Sequence, residues 1–367
     1  MANNAKNVLV TGGAGFIGSN LCDELVKRGN NVLCIDNFST GSQKNIDHLL
    51  QSTNFEFINH DLTQPINLEE YREAQKFKTE FYGISEIYHL ACPVASTQFE
   101  KYSLATLLAN SHATKNVLDI ALKYNSKVFF ASSSSVYGES YDNNFFVDEK
   151  YQGIVSNLSE RGIYDEGKRF AESMCYTYNK VNNLDVKIGR IFSTFGPRMQ
   201  INSGVFMADA IISALNNEKI ITNYKENDVG SFCYVKDTIE CILLIMETGK
   251  FGPYNIGNPE AIKIAQIVNI IKKIIGSNSE IEYNPNAKNR LIPDIGLVKE
   301  KFGWFPLTLL EDALRDTIDY MKAAKNSFNA GDFFKEDKSD EAKLKESTES
   351  IEKNKSESNI FRMIFKG

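Results

Sequence analysis

The sequence predicts an α/β chain built on a doubly wound parallel sheet, with a smaller, interleaved C-terminal substrate-binding region. Three observations predict it. Short runs rich in Val, Ile and Phe alternate with amphipathic stretches through the first half of the chain, the pattern of a sheet covered on both faces. GGAGFIG at residues 12–18 follows the first apolar run and opens the first amphipathic stretch. After Phe195 the alternation gives way to longer loops and isolated helices.

Taken in order, the expected strands are NVLV, NVLCID, FEFINHD, EIYHLA and KVFFASS, followed later by VKIGRIF. Between the first two, SNLCDELVKRG places Leu21, Leu25 and Val26 on one helical face. LATLLANSHATKNVLDIALKY stays apolar at three- and four-residue steps and reads as one continuous helix. Beyond Phe195, MADAIISALNNE and IAQIVNIIKKII are helical, and GPYNIGNPE between them is rich in turn residues. From about residue 326 the chain is charged and polar, KEDKSDEAKLKESTESIEKNKSESN, with too little apolar surface to offset the entropy of ordering, so a disordered tail is expected at 326–367.

The 367 residues are 42% hydrophobic, enough for one large core or two modest ones, and the net charge of −6 argues against a general nucleic-acid surface. MANNAK leads straight into a strand without the basic and apolar regions of a secretory signal, and no apolar run reaches membrane-spanning length, so a cytoplasmic protein is expected. The six cysteines (Cys22, Cys34, Cys92, Cys175, Cys233, Cys241) lack zinc or redox spacing and read as reduced core residues. The four histidines are isolated from one another; His89 reads as a structural histidine, and no metal is expected.

The glycine spacing carries chemistry because of where it falls. Gly12 permits a tight turn, Gly15 lets backbone amides approach a pyrophosphate, and Gly18 allows the helix to pack closely on the strand. The diphosphate would then rest on the helix N-terminus at Phe16 and Ile17. Asp36 closes the second strand, where a carboxylate accepts from both ribose hydroxyls and repels a 2′-phosphate. This is a Rossmann dinucleotide site that favours NAD over NADP. It assigns residues 1–195 to an NAD-binding domain, with later returns of the chain, and 196–325 to substrate.

Tyr164 and Lys168 lie four residues apart near the start of a predicted helix and share one face. A lysine ammonium beside the phenol, with nicotinamide charge nearby, is expected to lower the phenol's pKa so that it serves as a base near neutral pH. With these residues the chain resembles the extended short-chain dehydrogenase/reductases of the NAD-dependent epimerase/dehydratase type. It is most similar there to the branch that decarboxylates UDP-glucuronate. The resemblance rests on TGGAGFIGSNL, DNFSTG, FINHDL, YHLACP, YDEGKRFAESMCY, GRIFSTFGPRM, YNIGNPE and FGWFP, spread over residues 7 to about 320.

The resemblance implies site residues. Asn37 would join Asp36 at the cofactor, Asp61 and Leu62 would contact adenine, Ala91 would lie along the cofactor, and Asn110 would help hold its ribose side. Ser133 matches the hydroxyl that binds the sugar's 4-hydroxyl, Tyr164 the base and Lys168 its partner. It also implies a homodimer through the stretches 104–123 and 164–182. The chain departs from the decarboxylase pattern at Ser135, where glutamate is usual after Ser134, and at Ser193 in place of asparagine; Ser134, Ser135 and Ser193 are expected to bind substrate. Arginine positions of that pattern fall at Val205, Gly230 and Leu291. Arg161, Arg198 and Arg290 remain as candidates for phosphate or carboxylate. The expected activity is decarboxylation of a nucleotide-bound glucuronate through a 4-keto sugar. The alternative is a nucleotide-sugar 4-epimerase, favoured by SSSSVYG, and a third reading is an NAD-binding module whose catalysis has decayed.

Overall fold

A computed structural model describes residues 5–93, 99–138, 145–201, 204–285, 287 and 290–327. The chain divides into two units, Met1–Tyr320 and Met321–Gly367. The expected tail, apart from its first two residues, lies outside the described residues.

Seven strands form the central sheet of the first unit: β1 (Asn7–Thr11), β2 (Asn31–Asp36), β3 (Phe55–Asn59), β4 (Glu86–His89), β5 (Lys127–Ser133), β6 (Val186–Ile191) and β7 (Tyr254–Ile256). Their spatial order is β7-β6-β5-β4-β1-β2-β3, with every neighbouring pair parallel. Both faces are covered, which is why β1 is buried at all five residues and reads as an unbroken apolar run. Leu9, Leu33, Ile58, Ile87, Phe130 and Ile188 anchor the core beneath it. Each such side chain contributes about 1.5–3 kcal/mol by leaving water.

Six of the seven strands coincide with the expected ones. The seventh is YNI within GPYNIGNPE, which the sequence presents as turn-rich. Three residues are too few for a strand period to emerge, and the central one, Asn255, is polar. It is nevertheless fully buried, because its Nδ2 donates to the Val147 and Asp294 carbonyls and its Oδ1 accepts from the Tyr137 hydroxyl.

The principal helices are α1 (Phe16–Lys27), α2 (Phe99–Leu108), α3 (Thr114–Tyr124), α4 (Glu160–Asn182), α5 (Phe206–Asn216), α6 (Val235–Thr248) and α7 (Ile264–Ile275). Leu21 and Leu25 of α1 are buried as expected, while Val26 is only half-buried. The stretch read as one helix is divided: α2 and α3 are joined by a π turn at Ala109–Ala113. Helix α4 starts cleanly because Ser159 Oγ accepts from the Gly162 amide at 3.0 Å and Glu160 meets the positive end of the helix dipole.

Beyond Phe195 the chain forms α5 to α7 and short strand pairs. Ile292–Pro293 pairs with Phe146–Val147, and Cys233–Tyr234 pairs with Thr194–Phe195, so strands of the later region pair with strands of the earlier one. The order reverses between β1 and β4, and a crevice opens where their carboxyl ends diverge.

Candidate active site

The glycine loop leaves β1 at that crevice. Gly12 turns at φ 73°, and a Cβ there would come within 2.7 Å of the Ala91 amide nitrogen after β4. A Cβ on Gly18 would stand 2.1 Å from the Gly12 carbonyl oxygen, so only hydrogen lets α1 lie against the loop. The residue that caps α1, Gly15, carries no side chain, and Ser19 N–H bonds to its carbonyl. The amides of Phe16, Ile17 and Gly18 precede that bond in the first turn, where no helical acceptor exists for them. They form the donor set that a pyrophosphate requires.

Asp36 sits at the carboxyl end of β2, its Oδ2 accepting from the Ala14 amide at 3.0 Å and its Oδ1 from the Phe38 amide at 2.8 Å. Burial pushes its carboxyl above the usual range, against these backbone donors. The carboxylate thus holds the loop after β1 and the turn after β2 together. Asn37 is exposed and accepts from Ser39. Asp61 is exposed and accepts from the Thr63 amide, whereas Leu62 turns its side chain into the core and offers its carbonyl to Asn116. Leu62 can therefore meet a ligand through its backbone. The residues present fit a dinucleotide.

At the ends of β4 and β5 the second group assembles. His89 is sealed between two hydroxyls, Thr11 Oγ1 at 2.7 Å and Thr114 Oγ1 at 3.2 Å, and burial followed by the Lys168 charge holds it down at about 3. It is a structural histidine, as expected. Asn110 lies in the π turn, its Nδ2 donating to the Thr106 carbonyl and to Cys92 Sγ. The Gly167 Cα lies so close that a Cβ would touch Asn110 Nδ2 at 2.9 Å, which packs the turn flat on α4.

Lys168 is buried; its ammonium donates to the Ala131 carbonyl at 2.9 Å and stands 5.9 Å from the Tyr164 ring centroid. The Tyr164 hydroxyl interacts with Ser133, whose own Oγ accepts from the Ser135 amide at 3.2 Å and shapes the turn Ser134–Tyr137. Ser133, Tyr164 and Lys168 therefore lie together. The protein's own surroundings act on the phenol in the opposite direction. Burial pushes it well above its ordinary value, the Cys92 thiol adds to that, and Ser133 and Arg161 only partly offset it. Lys168 spends its ammonium on a carbonyl, so the lysine does not by itself make this phenol acidic. Oxidised nicotinamide, when bound, would add positive charge that favours the phenolate.

Cys92 belongs to this group and was not legible as such; it is partly exposed, unlike the five buried cysteines. The available signal was its position directly after Ala91, at the mouth of β4. Asp165 is the second such residue, buried beneath Ser135.

The basic candidates separate. Arg161 stays beside the phenol, its Nε donating to Asp165 Oδ2 at 3.2 Å. Arg290 is exposed, its guanidinium 5.6 Å from the ring centroid of Tyr224. Arg198 is bound to Asp23 of α1 at 2.6 Å and lies within 3.5 Å of His48 Nε2, which locks the chain after β6 onto α1. Its buried Nη1 has no hydrogen-bond partner among the described residues. Ser193 is exposed, and its carbonyl accepts from the Cys233 amide. Among the described residues no group of three or more His, Cys, Asp or Glu side chains could hold a metal.

Fold and site define a nucleotide-cofactor enzyme of the Tyr-x-x-x-Lys kind. The NAD dependent epimerase/dehydratase family model matches residues 8–257, and the chain belongs to that family, with NAD as its cofactor. The chain is 37% identical over 320 residues to UDP-glucuronic acid decarboxylase 1 of Xenopus tropicalis, covering 86% of this chain and 72% of that one. It is 36% identical over 312 residues to UDP-glucuronic acid decarboxylase 6 of Arabidopsis thaliana, covering 84% and 86%. Among solved structures it resembles UDP-glucuronic acid 4-epimerase from Bacillus cereus in complex with NAD, at 27% identity and TM-score 0.73 over 88% of this chain and 99% of that one.

Proposed function

We propose that the chain acts on a nucleotide sugar through a 4-keto intermediate, and that it decarboxylates UDP-glucuronate to UDP-xylose. The carrying observation is that Ser133, Tyr164 and Lys168 converge at the switch-point crevice of a chain whose curated relatives are UDP-glucuronic acid decarboxylases. Bound NAD supplies the hydride acceptor, and later the donor, at the sugar's 4-carbon. Ser133 holds the 4-hydroxyl and Tyr164 takes its proton. Lys168, fixed on the Ala131 carbonyl, keeps its charge on the phenol's side of the strand. Once the 4-carbon of a glucuronate is a ketone, the carboxylate is β to it. The bond to carbon dioxide breaks, its electron pair enters the enolate, the 5-carbon takes up a proton, and the ketone is reduced again.

In this reading residues 1–195 hold NAD and 196–325 cover the substrate. The protein works in the cytoplasm as a homodimer through α2 to α4, supported by the exposed apolar residues Leu104, Phe170, Tyr176 and Val181 on those helices. No described helix is long and apolar enough to cross a membrane.

A 4-epimerase is the second reading, favoured by Ser134 and Ser135 in the turn after β5. The test is incubation with NAD and UDP-glucuronate, UDP-glucose or UDP-N-acetylglucosamine, with products resolved by mass. Loss of carbon dioxide is expected. An unchanged mass with a new isomer makes it an epimerase, and no product with any of the three leaves a cofactor-binding module.

A further inference from the structure

A nearly buried polar network runs beside the catalytic strand and takes no part in the steps above. Glu172 of α4 and Arg190 of β6 meet in a two-pronged bond, Nε to Oε1 at 3.0 Å and Nη2 to Oε2 at 2.8 Å. Each side chain is only 13% exposed. The pair reaches further on both sides. Ser132 Oγ donates to Glu172 Oε1 at 2.5 Å, while the Arg190 guanidinium carbon stands 4.7 Å from the Tyr137 ring centroid and its Nη1 donates to the Glu149 carbonyl. Tyr137 in turn donates its hydroxyl to Asn255 Oδ1 at 2.5 Å, and the Asn255 amide donates to Glu149 Oε1 at 2.8 Å.

Stability is a weak reason to keep such a pair. Taking two charges out of water offsets most of their attraction, and apolar side chains of similar volume fill the same space as well. What apolar side chains lack is direction, which a planar two-pronged bond supplies. The partners show where that direction is used. Ser132 and Arg190 are register partners on β5 and β6, and Ser132 precedes Ser133, the residue that meets the Tyr164 hydroxyl. Tyr137 ends the turn Ser134–Tyr137 that follows Ser133. Tyr164, Lys168 and Glu172 succeed one another at four-residue steps along α4, so the helix that carries the phenol also carries the carboxylate. Ser133 is thus bracketed: Ser132 before it is tied to α4, and Tyr137 after it lies against Arg190. Lys168 makes the neighbouring tie, to the Ala131 carbonyl.

We infer that Glu172 and Arg190 are positioning residues: they hold the end of β5 and the turn after it against α4, and so keep Ser133 within reach of the Tyr164 hydroxyl. They act through Ser132 and Tyr137. Their effect on turnover rests on the nucleotide-sugar reading above.

The test replaces the pair by apolar side chains. Glu172→Leu combined with Arg190→Met keeps the volume and removes the direction, so the double variant should melt close to wild type. With the nucleotide sugar that wild-type protein turns over, its kcat should fall about 10²-fold at unchanged KM, the scale of a misplacement of about 1 Å at the reacting groups. Ser132→Ala leaves the ion pair whole and should lower kcat about fivefold, the loss of one hydrogen bond. Because the Ser133 hydroxyl favours the ionised phenol, the acid limb of kcat against pH should move to higher pH in both variants, which a loss of packing alone does not produce. Wild-type kcat in the folded double variant, or a lowered kcat with an unmoved limb, overturns the inference. Should the double variant fail to fold, Ser132→Ala decides alone. Independently of turnover, the Ser135 amide donates to Ser133 Oγ and reports on the same turn. Its hydrogen exchange should quicken about fivefold in Ser132→Ala, and an unchanged rate overturns the positioning role. Should wild-type protein convert no nucleotide sugar, the functional reading fails, and exchange at Ser135 decides whether the network sets the turn.

Discussion

The two sides of the crevice are built by different means. On the cofactor side the backbone shapes the surface: Gly12 and Gly18 leave no room for a Cβ, and the first-turn amides of α1 are donors without helical acceptors. On the substrate side the turn after β5, the start of α5 and the strand Val229–Gly230 present whatever side chains the chain has chosen. A site made of backbone tolerates one sequence pattern. A site made of side chains can be rewritten without disturbing the fold, and the departures from the decarboxylase pattern that the resemblance implies fall at Ser135, Ser193, Val205 and Gly230.

Chemistry should be the most sensitive point of contact between the two sides. Tyr164→Phe removes the proposed proton acceptor while leaving the ring packed, and kcat is expected to fall by about 10²–10⁴-fold. Retained NAD and an unchanged melting temperature would place the loss in the proton transfer. Equal turnover by the variant would remove Tyr164 from the mechanism. Next in size, Gly18→Ala puts a methyl 2.1 Å from the Gly12 carbonyl oxygen. Loss of about 3 kcal/mol of stability, together with weakened NAD binding, is the expected cost of forcing α1 off the loop. A variant that melts and binds NAD like wild type would show that the backbone on this side is not the constraint.

His89 tests how dry the cofactor side is. A histidine in the unfolded chain titrates near pH 6.5, whereas His89 is held down at about 3 between Thr11 and Thr114. Between those values the unfolded chain binds a proton that the folded chain refuses, so stability should fall as pH drops through this window. At pH 5 the loss relative to neutral pH is about 2 kcal/mol. Comparing denaturant unfolding at pH 7 and pH 5 for wild type and His89→Gln checks it, since the variant should show a correspondingly smaller difference. Equal pH dependence in both would mean that the ring is solvated.

What could be read in advance follows the same division. The strands β1 to β6, the glycine loop and Asp36 were legible because parallel strands buried on both faces and turns without room for Cβ leave local marks in sequence. The pairing of Ser133 with Tyr164 and Lys168 was legible only through motif spacing and resemblance. Asp165 and Cys92 were not, because each acquires its role from a neighbour distant in sequence, Ser135 in one case and Asn110 in the other. The strand Tyr254–Ile256 escaped for a similar reason, its central Asn255 being satisfied by residues 137, 147 and 294. The bond from Arg198 to Asp23 was not legible either, because an arginine marked only by type and motif carries no sign of its partner in α1.

The substrate side offers the finest test, because two arginine positions of the decarboxylase pattern differ in what now fills them. A Cβ on Gly230 would meet the Phe232 ring at 2.6 Å and Ile264 Cδ1 at 3.0 Å, so the space is already taken by apolar packing. Gly230→Arg should therefore destabilise by about 1–3 kcal/mol, and no gain in substrate affinity is expected from it. Val205 is different: it is 39% exposed at the start of α5, with nothing buried to displace. Val205→Arg should leave stability within about 0.5 kcal/mol of wild type. A nucleoside diphosphate close to that helix start would then bind up to about fivefold more tightly, the reward of one exposed ion pair, and the gain would fade as salt is raised. Calorimetric titration of both variants with UDP reads the two outcomes side by side. If Gly230→Arg is tolerated and tightens binding while Val205→Arg does nothing, the packing of Phe232 against Ile264 is looser than its geometry, and the substrate side is as open at 230 as at 205.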